Sequence, residues 1–180
     1  VKLEELYLSE NLLTTLPIIY NTKLQVLEVD SNRLQSVPDL SRALELITLA
    51  LKDNQLTELP ALNNTDLITL TLSDNRLTLL RGLDNMDLET LTLHNNNLTG
   101  LPDAFNMTLS IFTLSGNPLH CNVSLCWILM WSWLKSPDLT LDDPTCASPL
   151  TFSGQRLMDV YPTDMQCYEG TFGASQDQGS

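Results

Sequence analysis

Two histidines, four cysteines and scattered carboxylates are the residues of this chain that could do chemistry. His94 and His120 lie far apart in sequence, and neither stands near a nucleophile with a third, orienting group, as acyl transfer requires. There is no glycine-rich phosphate loop, and the acidic residues follow neither a metal-loop nor a paired-carboxylate pattern. Catalysis and cofactor binding are therefore not expected. Cys121, Cys126, Cys146 and Cys167 are separated by 5, 20 and 21 positions. Zinc sites are built from closely paired ligands, so a zinc reading is the weaker one. An even number of cysteines in one compact segment fits disulfides formed in an oxidising compartment. Four Asn-x-Ser/Thr sequons, at Asn63, Asn97, Asn106 and Asn122, point the same way.

The elements that must position these residues show themselves as a repeat. Leu3 to Asn11, "LEELYLSEN", returns as "LQVLEVDSN", "LITLALKDN", "LITLTLSDN", "LETLTLHNN" and "LSIFTLSGN". Its asparagines stand at 11, 32, 54, 75, 96 and 117, with spacings of 21, 22, 21, 21 and 21. Alternating leucines within each unit predict a short strand with one buried and one exposed face. The asparagine falls where the chain turns, and its amide can satisfy backbone groups of its own and the neighbouring coil. Proline closing "LTTLP", "LQSVP", "LTELP" and "LTGLP" ends regular pairing and starts the return leg. No unit can bury its leucines alone, so the units must stack.

Over Leu3 to Leu119 these motifs resemble the leucine-rich-repeat family. The resemblance implies an α/β solenoid, a right-handed horseshoe of six strands with a parallel concave sheet. Units this short leave little room for helices in the return legs. "NPLHC", Cys126, "PTCASP" and "DMQC" resemble the C-terminal cysteine cap of secreted and cell-surface members such as variable lymphocyte receptors, Toll-like receptors and Slit. That cap implies a short helix and bridges from Cys121 to Cys146 and from Cys126 to Cys167. One departure stands out: Val123 replaces the second cysteine of the family's Cys-x-Cys. Cys126 follows one helical turn later, on nearly the same face. The layout predicted is repeats over 1–116, cap over 117–168, and a polar tail or stalk over 169–180.

On the concave side, successive exposed strand positions line up in columns. Glu5, Val26, Thr48, Thr69, Thr90 and Ile111 form one; Tyr7, Glu28, Ala50, Thr71, Thr92 and Thr113 the next; Ser9, Asp30, Lys52, Ser73, His94 and Ser115 the third. Threonine dominates the later units and suits a plain solvated strand, with His94 expected as a solvent-facing residue. The earlier units combine Glu5, Tyr7, Glu28, Asp30 and Lys52, an aromatic anchor among charges, the composition of a specific contact. A concave ligand face is thus expected over Glu5, Tyr7, Glu28, Asp30, Lys52, Thr71, Thr92 and His94.

The run after Cys126 is apolar all round. Trp127, Met130, Trp131 and Leu134 share one stripe predicted to face the core, while Leu125, Ile128, Leu129 and Trp133 fall on the remaining faces. Either the following loops cover those faces, or Ile128, Leu129, Met130 and Trp133 form a surface patch that joins a second copy. The apolar run is too short to span a bilayer and no signal peptide opens the chain. At the other end Leu3, Leu6 and Leu8 lie at an open edge, so either a cap precedes the first unit or that unit is itself the cap. A net charge of -13 disfavours nucleic acid and anionic membrane as partners. What remains is an extracellular recognition module taking a protein or microbial-surface ligand, of immune-receptor type or, alternatively, of the adhesion and guidance type.

Overall fold

The computed structural model describes residues 2–60, 62, 66–83, 86–102, 109–129 and 140–167. Six three-residue strands recur once per repeat: β1 Glu5–Tyr7, β2 Val26–Glu28, β3 Thr48–Ala50, β4 Thr69–Thr71, β5 Thr90–Thr92 and β6 Ile111–Thr113. Each pairs parallel with the next in unbroken register, so that Leu6, Leu27, Leu49, Leu70, Leu91 and Phe112 form one row. From Leu27 onward that row is buried. Its inward side chains join Leu24, Leu46, Leu67 and Leu88, and Leu51, Leu72 and Leu93, in one continuous core. Parallel strands need a crossover, and among the described residues the return legs between them contain no helix.

The backbone turns sharply after every strand. Glu10, Ser31, Asp53, Asp74, Asn95 and Gly116 all have positive φ, and each immediately precedes the repeat asparagine. At Gly116 a Cβ would lie 2.2 Å from Asn95 Oδ1, so any larger residue there requires the Asn95 side chain to shift.

Asparagine then ties coil to coil. Asn75 Nδ2 donates back to the carbonyl of Leu51 in the preceding coil at 2.8 Å, and its Oδ1 accepts the Leu56 N–H at 3.0 Å. Asn54, Asn96 and Asn117 repeat both bonds, to Val29, Leu72 and Leu93 on one side and from Leu34, Leu77 and Leu98 on the other. Buried backbone groups that no strand pairs are thereby satisfied.

The main sheet takes its seventh strand from the cap. Strand β8, Thr140–Leu141, pairs with β6, so the sheet continues from the repeats into the cap. Just past it, Asp142 accepts the N–H groups of Leu114 and Ser115 at 2.7 and 2.8 Å. Its carboxylate takes over the role that strand carbonyls play between earlier coils, and so terminates the ladder. A second small sheet pairs β7, Leu119–His120, with β9, Cys146–Ser148. The two bridges are Cys121 to Cys146 and Cys126 to Cys167, spanning 25 and 41 positions.

The cap helix requires a correction. A 3-10 turn, Val123–Leu125, leads into helical residues 126–129. Leu125, Cys126, Ile128 and Leu129 are all fully buried, whereas Trp127 is only partly buried, its ring 6.1 Å from Phe112. The core-facing stripe is therefore rotated from the expected one. Leu125, Ile128 and Leu129, at i, i+3 and i+4, share the side turned inward, and Cys126, three positions before Leu129, adjoins it and is held there by its bridge to Cys167. Neither can belong to a surface patch. Met130, Trp131, Trp133 and Leu134 lie outside the described residues, as does the predicted tail at 169–180.

At the opposite end, Leu3 is 40% exposed, and Leu6 and Leu8 are only partly buried. Strand β1 is the edge of the sheet.

Candidate functional face

The in-register sheet brings the predicted columns together. Glu5 stands beside Val26, Tyr7 beside Glu28, and Glu28 beside Ala50. The third column continues the same ladder: Glu10 N bonds Asp30 O, and Ser31 N bonds Lys52 O. Glu5, Tyr7, Glu28, Asp30 and Lys52 consequently share one end of the concave face. Thr71 and Thr92 lie further along, half-buried.

Within that end, Tyr7 is the prominent group, 57% exposed, its hydroxyl donating to Glu5 Oε2 at 3.0 Å. This hydrogen bond, with lesser contributions from burial and from the charges of Glu5 and Glu28, holds the phenol above its ordinary pKa. Asp30 is half-buried. Its N–H donates to Ser9 Oγ at 3.1 Å, and its Oδ1 accepts the Lys52 N–H at 2.7 Å. Burial pushes its carboxyl up, and the charges of Glu28 and Asp53 add to the push; the Lys52 N–H bond and the Lys52 charge pull the other way. Ala50 between Glu28 and Thr71 leaves a step in the column, since its small side chain is buried among its neighbours. The result is an exposed aromatic ring set in a negative field relieved by one cation.

His94 departs from expectation. Its Nδ1 lies 2.8 Å from Ser73 Oγ and 3.0 Å from Thr113 Oγ1, and its Nε2 lies 3.5 Å from Asp74 Oδ2. Asp74 Oδ1 also accepts from Asn95 Nδ2 at 2.8 Å. The histidine thus has a hydroxyl and a carboxylate as neighbours, contrary to the sequence reading, and is partly buried. Serine, histidine and aspartate are the residue types of a nucleophilic triad. Ser73, however, is 0% exposed, so no substrate carbonyl can reach its hydroxyl. The cluster braces three successive coils. Its signal was present in the sequence: Ser73 and His94 are neighbours in one column, one repeat apart.

Asp142 was missed altogether. The segment Thr140-Leu141-Asp142 has the strand pattern of a further repeat, but it lies outside the 21-residue register that made the others visible. Of the sequons, Asn97 is exposed and Asn122 half-buried, while Asn63 and Asn106 lie outside the described residues. Among the described residues no cluster of three or more His, Cys, Asp or Glu could hold a metal ion, and no helix is long and apolar enough to cross a membrane.

Comparison with known proteins agrees with this architecture. A family model described as Leucine Rich Repeat matches residues 87–107. No curated protein matches the chain. Among solved structures, a chain of the octameric complex of Latrophilin 3 (Lec, Olf), Unc5D (Ig, Ig2, TSP1) and FLRT2 (LRR) is similar with a TM-score of 0.70 and 22% identity, over 91% of this chain and 61% of that one. YopM, a leucine-rich effector protein from Yersinia pestis, is similar with a TM-score of 0.57 and 33% identity, over 66% of this chain and 33% of that one. The chain therefore spans 61% and 33% of the lengths of these two neighbours. Its fold is a leucine-rich-repeat solenoid with a disulfide-bridged C-terminal segment.

Proposed function

We propose that this chain is a non-enzymatic, extracellular recognition module that binds a protein ligand on its concave face, at the end formed by β1 to β3. The observation that carries the reading is the contrast along one sheet. An exposed tyrosine among Glu5, Glu28, Asp30 and Lys52 gives way to threonines from β4 onward. A large aromatic ring supplies contact area at low entropic cost, and the charges around it steer and select a partner. The partner's matching surface is basic. Two disulfides support an oxidising setting outside the cytosol.

Two biological settings suit such a module. Resemblance to the caps of variable lymphocyte receptors implies immune-type recognition of a microbial-surface ligand. The neighbour from a complex of Latrophilin 3, Unc5D and FLRT2 supports the adhesion or guidance setting, in which the ligand is a host cell-surface protein. The burial of Ile128 and Leu129 removes the basis for homodimerisation through those residues.

The test is a binding screen of the tagged chain against arrayed extracellular protein domains and whole microbial cells. Tyr7→Ala is expected to weaken the captured interaction roughly 30-fold, the effect of losing about 2 kcal/mol of an anchor residue. Glu28→Lys should slow association and flatten its salt dependence. Thr90→Ala and Thr92→Ala should change neither. Binding that survives Tyr7→Ala and Glu28→Lys but is lost with the threonine variants would overturn the assignment.

A further inference from the structure

We propose that Asn97 is an N-glycosylation site and that Asn122, despite its sequon, is not; the proposal rests on the extracellular reading above. Asn97 immediately follows the ladder residue Asn96, at the position held in other coils by Arg33, Gln55, Arg76 and Pro118. Its backbone is pinned from both sides, Asn97 N to Leu77 O at 2.9 Å and Leu98 N to Asn117 Oδ1 at 2.9 Å. With Leu98 wholly buried, the Asn97 side chain is held outward and exposed, and Thr99 is exposed two residues on. The neighbouring Arg76 and Pro118 are exposed as well, so a glycan here displaces no packing.

Asn122 is built into the fold instead. Its Oδ1 accepts the Ser124 N–H at 2.9 Å and the Ser124 hydroxyl at 2.7 Å, capping the turn that buries Leu125. The sequon's amide oxygen and its hydroxyl are thus bonded to each other, with Asn122 and Ser124 both half-buried, in a segment whose flanking cysteines, Cys121 and Cys126, are both bridged.

The co-reactant is a polyprenyl-pyrophosphate-linked oligosaccharide. Asn97 Nδ2 forms a bond to the first sugar's anomeric carbon and gives up one amide proton to a base. The bond from that carbon to the pyrophosphate oxygen breaks, and the lipid pyrophosphate leaves with the electron pair. No oxidation is involved. A glycan at Asn97 would shield the flank of the later coils and leave the approach over β1 to β3 open.

The experiment is site mapping on the whole chain secreted from eukaryotic cells. Enzymatic deglycosylation in heavy-oxygen water converts each occupied asparagine to labelled aspartate, which peptide mass spectrometry locates. The expected result is label at Asn97 and none at Asn122, with Asn97→Gln and Thr99→Ala each losing one glycan while remaining secreted and disulfide-bonded. A secreted, disulfide-bonded chain with bare Asn97, or with label at Asn122, would overturn the proposal and leave the extracellular reading standing. Protein from its native source with four alkylatable thiols and no glycan would overturn both.

Discussion

Replacing Asn75 by alanine probes the bond network that holds the coils in register. Asn75 accepts from Leu56 N, and its two amide N–H groups reach three carbonyls, Leu51 O, Leu72 O and Ser73 O, so that one proton is shared. Each of those carbonyls keeps another donor after truncation: Asn54 Nδ2 for Leu51, Asn96 Nδ2 for Leu72, and Asp53 N for Ser73. The Leu56 N–H has no second acceptor among these bonds and lies on a fully buried residue. Orphaning one buried N–H costs about 1–3 kcal/mol, and the lost share of the carbonyl bonds brings the total to roughly 2–4 kcal/mol. For a chain of this size that is a fall in Tm of roughly 5–15 °C. Asn11 is the control. It is exposed, and its amide bonds only Leu8 O and Ser9 O within its own unit, so Asn11→Ala should cost about 0.5 kcal/mol. The assay is urea unfolding followed by far-ultraviolet circular dichroism, with the m-value checked to confirm that the native ensemble is unchanged. Asn75→Asp adds a second arm. Its carboxylate keeps the Leu56 bond but turns an oxygen toward three carbonyls, so the variant should be worse than alanine at neutral pH. Protonation restores one donor; the folded-state pKa is therefore raised, and stability returns as pH falls through it. If Asn75→Ala costs no more than Asn11→Ala, the ladder is not what stabilises the coil.

Three further outcomes follow from named contacts. Leu129→Arg should misfold the cap by more than about 4 kcal/mol, since it places an unpaired charge where the side chain is fully buried, and its secreted yield should collapse while Val123→Arg, on an exposed residue, is tolerated. Gly116→Ala should cost about 1–3 kcal/mol by thermal melt, because φ is +69° and the new Cβ meets Asn95 Oδ1; Asn95→Gly in the same chain should recover the steric part only. Asp30→Asn should leave Tm unchanged or raise it at pH 7, since burial disfavours the carboxylate and an amide oxygen still accepts from Lys52 N. With the folded pKa raised, the native state favours the protonated form, so the advantage of the variant should vanish as pH falls through the acid range; a variant that is less stable at neutral pH would contradict this.

Strand positions, buried leucines, the asparagine ladder and the three concave columns were legible in the sequence because each depends only on a repeat period. A solenoid places residue i beside its counterpart one repeat on, so sequence distance converts directly into spatial adjacency. The acidic, aromatic end of the face follows from the same conversion. Where the period stops, that conversion stops with it. Which of its sides the cap helix buries depends on its packing in the folded cap, and hydrophobicity alone cannot choose among faces that are all apolar. Asp142 closing the ladder at Leu114 and Ser115 likewise depends on a return path that no repeat encodes. His94 lies between these cases. Its column was readable, but its contacts with Ser73, Asp74 and Thr113 require side-chain directions that a one-dimensional pattern does not contain. The repeat period alone thus set the face this protein presents, and packing in three dimensions decided how that face is braced and closed, because long-range contacts outside a repeat carry no periodic trace.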